Sequence, residues 1–266
     1  MKVALISLSR EGARVLARLA GDFPAGRLFL HDAVPAEFAG ERFGSIIALT
    51  RKLFSACDGL IYAAPCGAVV RAIAPNLKDK RTDPAVVVID AGARYAISLL
   101  SGHEGGANDL AIRVGNLLEA EPVITTTTEA LKTVIVGVGC RRGTESSRIV
   151  AAVREGLRQA GVELAEVRLL ASADVKADEE GLIQAAGALG IPLRLLGSEE
   201  IRGSTRPFQR SEFVESKVNL PAVAEPAALL AGRRTRLILP KIHCQGVTVA
   251  VARESFSWSA SAPEAS

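Results

Sequence analysis

Residues 90–110 read DAGARYAISLLSGHEGGANDL and combine a strand signal, a glycine-rich turn and a helix signal. The apolar run Tyr95–Leu100 predicts a buried strand, and the pattern from about Asp109 onward predicts a helix. Backbone N–H groups at the start of such a helix are unpaired and, with the helix dipole, favour an anion or a developing negative charge. We therefore expect a ligand site here, with the rest of the chain organised around it.

His103 lies in this turn and would supply acid–base chemistry. An unperturbed imidazole titrates near neutral pH, so it can pass protons to and from a bound molecule. In the alternative interpretation, Gly102, Gly105 and Gly106 serve only a tight turn and close helix packing, and His103 is an ordinary rim residue. The residues alone leave both interpretations open, since such turns often, but not always, bind ligands in open α/β sheets.

The composition describes a globular protein with an ample core. The chain has 266 residues, of which 48% are hydrophobic and 23% charged, as expected for one or two domains. The formal charge of +3 is too small to indicate nucleic-acid binding without a clustered basic patch. Lys and Arg occur instead in short groups at predicted loops, an arrangement better suited to a small polyanion.

Cysteine usage and apolar runs indicate the compartment. The four cysteines lie far apart without C-x-x-C spacing, so we expect neither a disulfide framework nor a zinc site, and a reducing cytoplasm. The N-terminus predicts a first strand rather than a signal peptide. No apolar run reaches the length of about 20 residues that a membrane span needs.

Strand and helix signals alternate along the chain, which predicts two three-layer α/β domains. We expect an N-terminal domain with a mostly parallel sheet at residues 1–130 and a C-terminal domain with a mixed sheet at residues 131–254. Residues 255–266, rich in Ser and Ala, are predicted to form a disordered tail.

The second domain repeats the strand, turn and helix pattern at GVGCRRGT, residues 137–144. Thr144 is predicted as the N-cap of the next helix, and Arg141 and Arg142 as clamps for an anion. Cys140 is either a nucleophile or a small buried thiol, and the buried thiol is the commoner case.

A polar segment precedes the predicted strand at residues 85–89 and contains Lys80 and Arg81. It is either a solvated loop or part of a rim that binds carboxylates, since ammonium and guanidinium groups form charge-assisted hydrogen bonds with carboxylates.

Several long motifs occur in one order across nearly all of residues 1–254. They are VVRAIAPNLKDKRTDPAVVVID (69–90), SLLSGHEGGANDLA (98–111), PVITTTTE (122–129), GVGCRRGT (137–144), DVKADEEGL (174–182), AVAEPAALL (222–230) and LPKIHCQGVTVAVA (239–252). In these motifs the chain resembles the cobalamin biosynthesis protein G family, the cobalt-precorrin-5A hydrolases of the anaerobic vitamin B12 pathway.

The resemblance implies a hydrolase that acts on a cobalt-containing, ring-contracted tetrapyrrole. A lactone is opened and a carbon–carbon bond breaks to release acetaldehyde, which gives cobalt-precorrin-5B. The family implies no metal or cofactor bound by the protein, because the substrate carries the cobalt. The partner implied is a small molecule, the cobalt-tetrapyrrole substrate. From the cysteine spacing, charge and apolar runs we expect a cytoplasmic protein that binds no nucleic acid and no membrane. The sequence does not decide whether the site lies within one chain or across a homodimer.

The resemblance also suggests roles for individual residues. We expect His103 to be the general base, with Ser101 and Asn108 as further catalytic residues. Asn108 and the amides of Gly105 and Gly106 would donate hydrogen bonds to the oxyanion. The basic residues are expected on strand-end loops, facing the substrate carboxylates, and the two glycine-rich turns are expected to meet at one cleft. The predicted substrate-binding residues are Gly102, Gly105, Gly106, Arg71, Lys80, Arg81, Arg141, Arg142, Lys176, Glu179, Glu225 and Lys241.

The chain also departs from the family pattern. Thr128 passes almost directly to Thr133, so the usual middle segment is missing, which favours a non-catalytic corrinoid-binding or carrier protein as the alternative. Family members often have an apolar residue at position 104 and an acidic one at 91, so no catalytic role is assigned to Glu104 or Ala91. A nucleotide-binding α/β enzyme is the second alternative, but the first strand is not followed by G-x-G-x-x-G.

Overall fold

The computed structural model describes residues 1–256, apart from the side chain of Phe213. Residue contacts divide the chain into two compact units, Met1–Thr127 and a second that begins at Thr128. Except for its first two residues, the predicted disordered tail at 255–266 lies outside the described residues.

The first unit is built on a seven-stranded sheet with the order β3-β2-β1-β4-β5-β6-β7. Neighbouring strands are parallel except for the antiparallel pair of β5 and β6. The strands are β1 (Val3–Ser7), β2 (Arg27–His31), β3 (Glu41–Phe43), β4 (Gly59–Ala63), β5 (Ala85–Ile89), β6 (Tyr95–Leu100) and β7 (Glu121–Val123), and the helices are α1 (Arg10–Leu19), α2 (Ile46–Leu53), α3 (Cys66–Ile73) and α4 (Ala107–Leu118). The short helix α5 (Thr127–Ala130) begins at the last residue of this unit and continues into the second.

Alternate side chains of the central strands supply two separate cores, one on each face of this sheet. Val3 and Leu5 pack with residues of α1 and α4, whereas Ala4 and Ile6 pack with residues of α2 and α3. Strands β1, β4 and β5 are buried throughout, which explains their continuous apolar runs. The three-layer, mostly parallel first domain is therefore confirmed.

A short hairpin reverses the chain between β5 and β6. Only the five residues Asp90–Arg94 separate the two strands, and a connection this short permits antiparallel pairing alone. One Asp90 carboxylate oxygen accepts hydrogen bonds from the amides of Arg94 and Tyr95, each at 2.8 Å. As a result, β6 ends at the edge of the sheet where β1, β4 and β5 begin, and β7, which is parallel to β6, ends there too.

The second unit is built on a five-stranded sheet with the order β10-β9-β8-β12-β11. The first two pairs are parallel and the last two antiparallel, so the predicted mixed sheet is confirmed. The strands are β8 (Val134–Cys140), β9 (Val167–Ala173), β10 (Leu193–Leu196), β11 (Thr235–Cys244) and β12 (Val247–Glu254), and the helices are α6 (Ser146–Ala160), α7 (Glu180–Leu189), α8 (Ser198–Arg202), α9 (Glu212–Val218) and α10 (Ala224–Leu230).

Helices cover both faces of the second sheet. The core on one face joins residues of β8 and β12 with α6 and α7, while Ala224 and Ala228 of α10 pack against β12 on the other face. Helix α10 also lies against β8, where a Cβ added to Gly137 would be 1.8 Å from the Ala224 carbonyl oxygen. The second domain is therefore three-layered, as predicted.

The start of α6 differs from the prediction. The helix begins at Ser146 after the N-cap Glu145, so Thr144 is not its N-cap. The Thr144 hydroxyl instead donates to the Arg141 carbonyl oxygen at 2.7 Å, which closes the turn that precedes the helix. A threonine next to a glycine-rich turn has backbone acceptors within reach that compete with the capping role.

Candidate active site

The first turn, defined here as residues 101–106, joins β6 to α4 as the sequence predicts. It closes on its own backbone, because the amides of Gly105 and Ala107 both donate to the Ser101 carbonyl oxygen at 3.1 Å. The Asn108 amide donates to the Gly102 carbonyl oxygen at 2.9 Å, and Gly106 caps α4 with a φ of 80°. In this conformation the Gly105 amide is therefore already bonded within the turn, and its role as an oxyanion donor stays a prediction. Gly106 remains a candidate.

Ser101 is held in a conformation of high energy. Its φ of 57° lies in the left-handed region, which costs a residue other than glycine about 1–3 kcal/mol. The residue is only 7% exposed, and its hydroxyl has no hydrogen-bond partner among residues 1–256. Gly105 closes over it, since a Cβ added there would be 2.4 Å from the Ser101 Cβ. A substrate can therefore reach this hydroxyl only if the first turn moves.

Asn108 is the centre of a buried hydrogen-bonded chain. The Ser98 hydroxyl donates to Asn108 Oδ1 at 2.8 Å, and Asn108 Nδ2 donates to the Thr126 hydroxyl oxygen at 3.0 Å. Asn108 is 6% exposed, so its side chain anchors the start of α4 to the threonine-rich segment after β7. Position 102 has no room for a side chain beside this series, because a Cβ on Gly102 would be 2.7 Å from Thr126 Cγ2. Sequence reasoning missed Ser98 and Thr126, although a polar residue within an apolar strand was a usable signal.

His103 is exposed in the first turn, and the next residue, Glu104, contacts the loop that precedes β5. Glu104 joins the two segments, because its carboxylate forms an ion pair with Lys80 Nζ at 2.5 Å. The hydrogen bond from Lys80 lowers the pKa of Glu104, with smaller coulombic contributions from Lys80 and His103. Arg81 pairs instead with Asp79 at 3.1 Å, within its own loop. Lys80 therefore contacts the turn that carries His103, whereas Arg81 forms its ion pair within its own loop.

The second turn, defined here as residues 140–145, begins at the last residue of β8, and its polar groups pair with carboxylates of the chain itself. The Gly143 amide donates to Glu179 Oε1 at 2.8 Å, and Lys176 Nζ donates to Glu179 Oε2 at 3.4 Å. Arg142 pairs with Asp178 at 2.9 Å, and Arg141 is exposed. Glu179 is only 4% exposed and both of its oxygens are bonded. This carboxylate thus organises the turn from within, and the predicted substrate contact of Glu179 stays a prediction.

Cys140 fits the interpretation as a buried thiol better than that as a nucleophile. Burial raises the pKa of its thiol, against which the nearby Lys176 ammonium has a smaller lowering effect and the Glu179 carboxylate adds a raising one. At neutral pH the thiol is therefore protonated, whereas the thiolate is the nucleophilic form.

Two basic residues lie elsewhere than predicted. Arg71 is in the last turn of α3, where it donates to the Gly67 carbonyl oxygen at 3.2 Å, and Lys241 is within β11. Neither residue is on a strand-end loop, because Arg71 lies within the helix and β11 continues through Lys241.

Glu225, another predicted substrate-binding residue, is also a buried carboxylate. It is 1% exposed and accepts hydrogen bonds from the amides of Gln209 at 2.6 Å and Lys241 at 2.9 Å. The carboxylate therefore fixes a loop to β11 from inside the unit, and the predicted contact with substrate stays a prediction.

Across residues 1–256, no helix has the length and apolar character needed to cross a bilayer. Within the same range, no group of three or more His, Cys, Asp or Glu side chains is arranged to hold a metal ion.

Both units match models of known protein families. Residues 48–129 match the model described as Cobalamin synthesis G N-terminal, and residues 134–252 match Cobalamin synthesis G C-terminus. A cobalt-precorrin-5A hydrolase from Priestia megaterium is 28% identical, with alignment over 79% of this chain and 82% of that protein. A protein of the same name from Salmonella typhimurium is 26% identical over 93% of this chain and 96% of its own length. Protein CobE from a Sinorhizobium species is 34% identical over 47% of this chain and 83% of its own.

Proposed function

This chain belongs to the cobalamin synthesis G family, and on that premise we propose that it is a cobalt-precorrin-5A hydrolase of anaerobic cobalamin biosynthesis. One observation carries the proposal: two relatives with that name align over 79% and 93% of this chain and over 82% and 96% of their own lengths. The likeness therefore covers both units in order, whereas a match confined to one unit would transfer a fold rather than a reaction.

The first step is opening of the lactone by water. The water oxygen attacks the carbonyl carbon and one water proton passes to a base. The lactone bond then breaks, and the leaving ring oxygen takes up that proton to become a free hydroxyl. We assign the base to His103 because it is exposed on the turn next to a helix N-terminus. In this proposal the Gly106 amide and the positive end of the dipole of α4 stabilise the oxyanion.

The second step releases acetaldehyde from the opened product. The freed hydroxyl loses its proton, its oxygen forms the aldehyde carbonyl, and the carbon–carbon bond to the macrocycle breaks. The electron pair of that bond passes to the cobalt-bearing macrocycle, which takes up a proton. The same base serves both steps, so a single imidazole on the first turn suffices for the proton transfers.

Asn108 acts in this proposal as a positioning residue. Its side chain is buried and bonded to Ser98 and Thr126, so it fixes the start of α4, and hence the amides and the imidazole of the first turn. Ser101 contributes differently, because its hydroxyl has no partner among residues 1–256 and becomes available to the substrate once the first turn opens.

The test is incubation of the purified protein with cobalt-precorrin-5A, followed by trapping of the aldehyde and mass analysis of the corrinoid. We expect acetaldehyde in equal amount to a corrinoid that has gained water and lost acetaldehyde. Tight binding of the corrinoid without aldehyde would contradict hydrolysis and indicate a carrier protein. If the corrinoid does not bind while an adenosyl cofactor does, a nucleotide-binding enzyme is indicated instead.

A further inference from the structure

We propose that Glu104 occupies, in the substrate-free protein, the place of a substrate carboxylate on Lys80, and that exchange of the two carboxylates releases the first turn. This inference rests on the proposed function, because it requires a substrate with carboxylate side chains. It makes Glu104 a positioning and specificity residue rather than a catalytic one.

The geometry of the ion pair supports such an exchange. Lys80 Nζ and Glu104 Oε1 are 2.5 Å apart, yet the side chains are 71% and 35% exposed. An exposed pair of this kind changes an equilibrium by about fivefold at most, because water solvates both partners well. A second carboxylate can therefore approach Lys80 from solvent and replace Glu104 without a large barrier.

The position of Glu104 connects this exchange to the reactive turn. Glu104 follows His103 and precedes Gly105, the residue that closes over Ser101. The ion pair to Lys80 ties the turn to the loop before β5, and the Asp83 carbonyl oxygen of that loop would be 3.3 Å from a Cβ on Gly105. Loss of the ion pair loosens the turn where two adjacent glycines allow movement. The unpaired Ser101 hydroxyl then becomes accessible only when a carboxylate-bearing molecule is bound.

Specificity follows from the same exchange. A corrinoid with a carboxylate within reach of Lys80 releases the turn as it binds. An otherwise similar corrinoid whose carboxylates are amidated leaves the Lys80–Glu104 pair intact. We expect the amidated corrinoid to bind with little effect of the Glu104→Gln substitution.

The test is a double-mutant cycle on the dissociation constant of cobalt-precorrin-5A, with Lys80→Met, Glu104→Gln and the double variant. Glu104→Gln removes the competing carboxylate, so we expect binding about twofold to fivefold tighter than in the parent protein. In the Lys80→Met background the same substitution should change the dissociation constant by less than about 1.5-fold, because there is no ammonium to release. Asp109→Asn is the matched control, since it removes an exposed carboxylate from the first turn of α4.

Equal tightening by Glu104→Gln with and without Lys80, or an equal effect of Asp109→Asn, would mean general charge repulsion and would overturn the exchange. Hydrogen exchange without substrate gives an independent measure, because the amides of Gly105 and Ala107 should exchange faster in Glu104→Gln than in Asp109→Asn. Unchanged exchange would overturn the release of the turn. If the parent protein neither binds nor converts the corrinoid, the proposed function fails, and this inference with it.

Discussion

The two glycine-rich turns share one sequence pattern but differ in what their polar groups contact. In the second turn, the chain's own Glu179 accepts from the Gly143 amide and from Lys176, and Asp178 pairs with Arg142. In the first turn, the Ser101 hydroxyl has no partner within residues 1–256. The same strand, turn and helix pattern can thus bind a carboxylate of the chain itself, as in the second turn, or leave a polar side chain without a hydrogen-bond partner, as in the first. In the latter case a group is left for a ligand.

The two turns also lie at different edges of their sheets relative to the parallel strands. The second turn follows β8, near the carboxyl ends of the parallel strands β9 and β10, where open α/β sheets commonly bind ligands. The first turn lies at the edge where β1, β4 and β5 begin, because β6 runs against them. The usual location is occupied by a buried carboxylate, while the less usual one carries the exposed imidazole.

The largest effect is expected from His103→Ala. Loss of a general base lowers turnover by about 10²- to 10⁴-fold, whereas the affinity for the corrinoid should change little. Steady-state aldehyde release and corrinoid titration measure the two quantities. His243→Ala is the control, as it removes an exposed imidazole from β11 and should leave both unchanged. Full turnover by His103→Ala would remove the functional difference between the turns.

Substitutions that affect the packing of the second turn are expected to change the stability of the protein. A Cβ on Gly181 would be 1.9 Å from the Thr144 carbonyl oxygen, so Gly181→Ala should lower the free energy of unfolding by about 1–3 kcal/mol or more. Gly187→Ala on the same helix meets nothing within 4 Å and should raise it by about 0.5–1 kcal/mol. Denaturant titration distinguishes the two. Equal stability of both variants would mean that α7 does not need this close approach.

A smaller effect is expected from loss of one hydrogen bond in the buried series Ser98–Asn108–Thr126 behind the first turn. Thr126→Val leaves Asn108 Nδ2 without its acceptor, which should lower the free energy of unfolding by about 1–3 kcal/mol. Thr126→Ser keeps the hydroxyl and should retain most of the stability. If this series positions His103, Thr126→Val also lowers the turnover number more than the affinity, and Thr126→Ser restores it. A change in affinity alone would argue against positioning.

Cys140 should show the smallest effect. Burial raises the pKa of its thiol, so alkylation by iodoacetamide at neutral pH should be slow and should accelerate only above the pH range of an ordinary thiol. Turnover of Cys140→Ala should match that of the parent protein. Rapid alkylation at pH 7 together with loss of turnover would mean that the second turn, and not only the first, carries a reactive group.

The fold was largely readable from the sequence because its strands are continuous apolar runs between clear turn signals. The direction of β6 was not predicted, although the five residues from Asp90 to Arg94 are too few for a parallel crossover. Weak, short elements such as β3 were missed, because three residues with two of them exposed carry little pattern.

The candidate site was only partly readable. The residues of the first turn follow from local sequence, but the partners that give them meaning are distant along the chain, as with Thr126 for Asn108 and Lys80 for Glu104. Charged residues in motifs were interpreted as facing the substrate, whereas Glu179 and Glu225 are buried and bonded to backbone amides. A single sequence shows that a carboxylate is present and not which way it points.

The most direct test of the difference between the turns is the substitution Ser101→Gly, assayed for both stability and turnover. Glycine relieves the left-handed backbone and removes the unpaired hydroxyl, so the free energy of unfolding without substrate should rise by about 1 kcal/mol. Aldehyde release should fall, because the group held for the substrate is gone. A variant that is less stable than the parent, or equally active, would contradict the account.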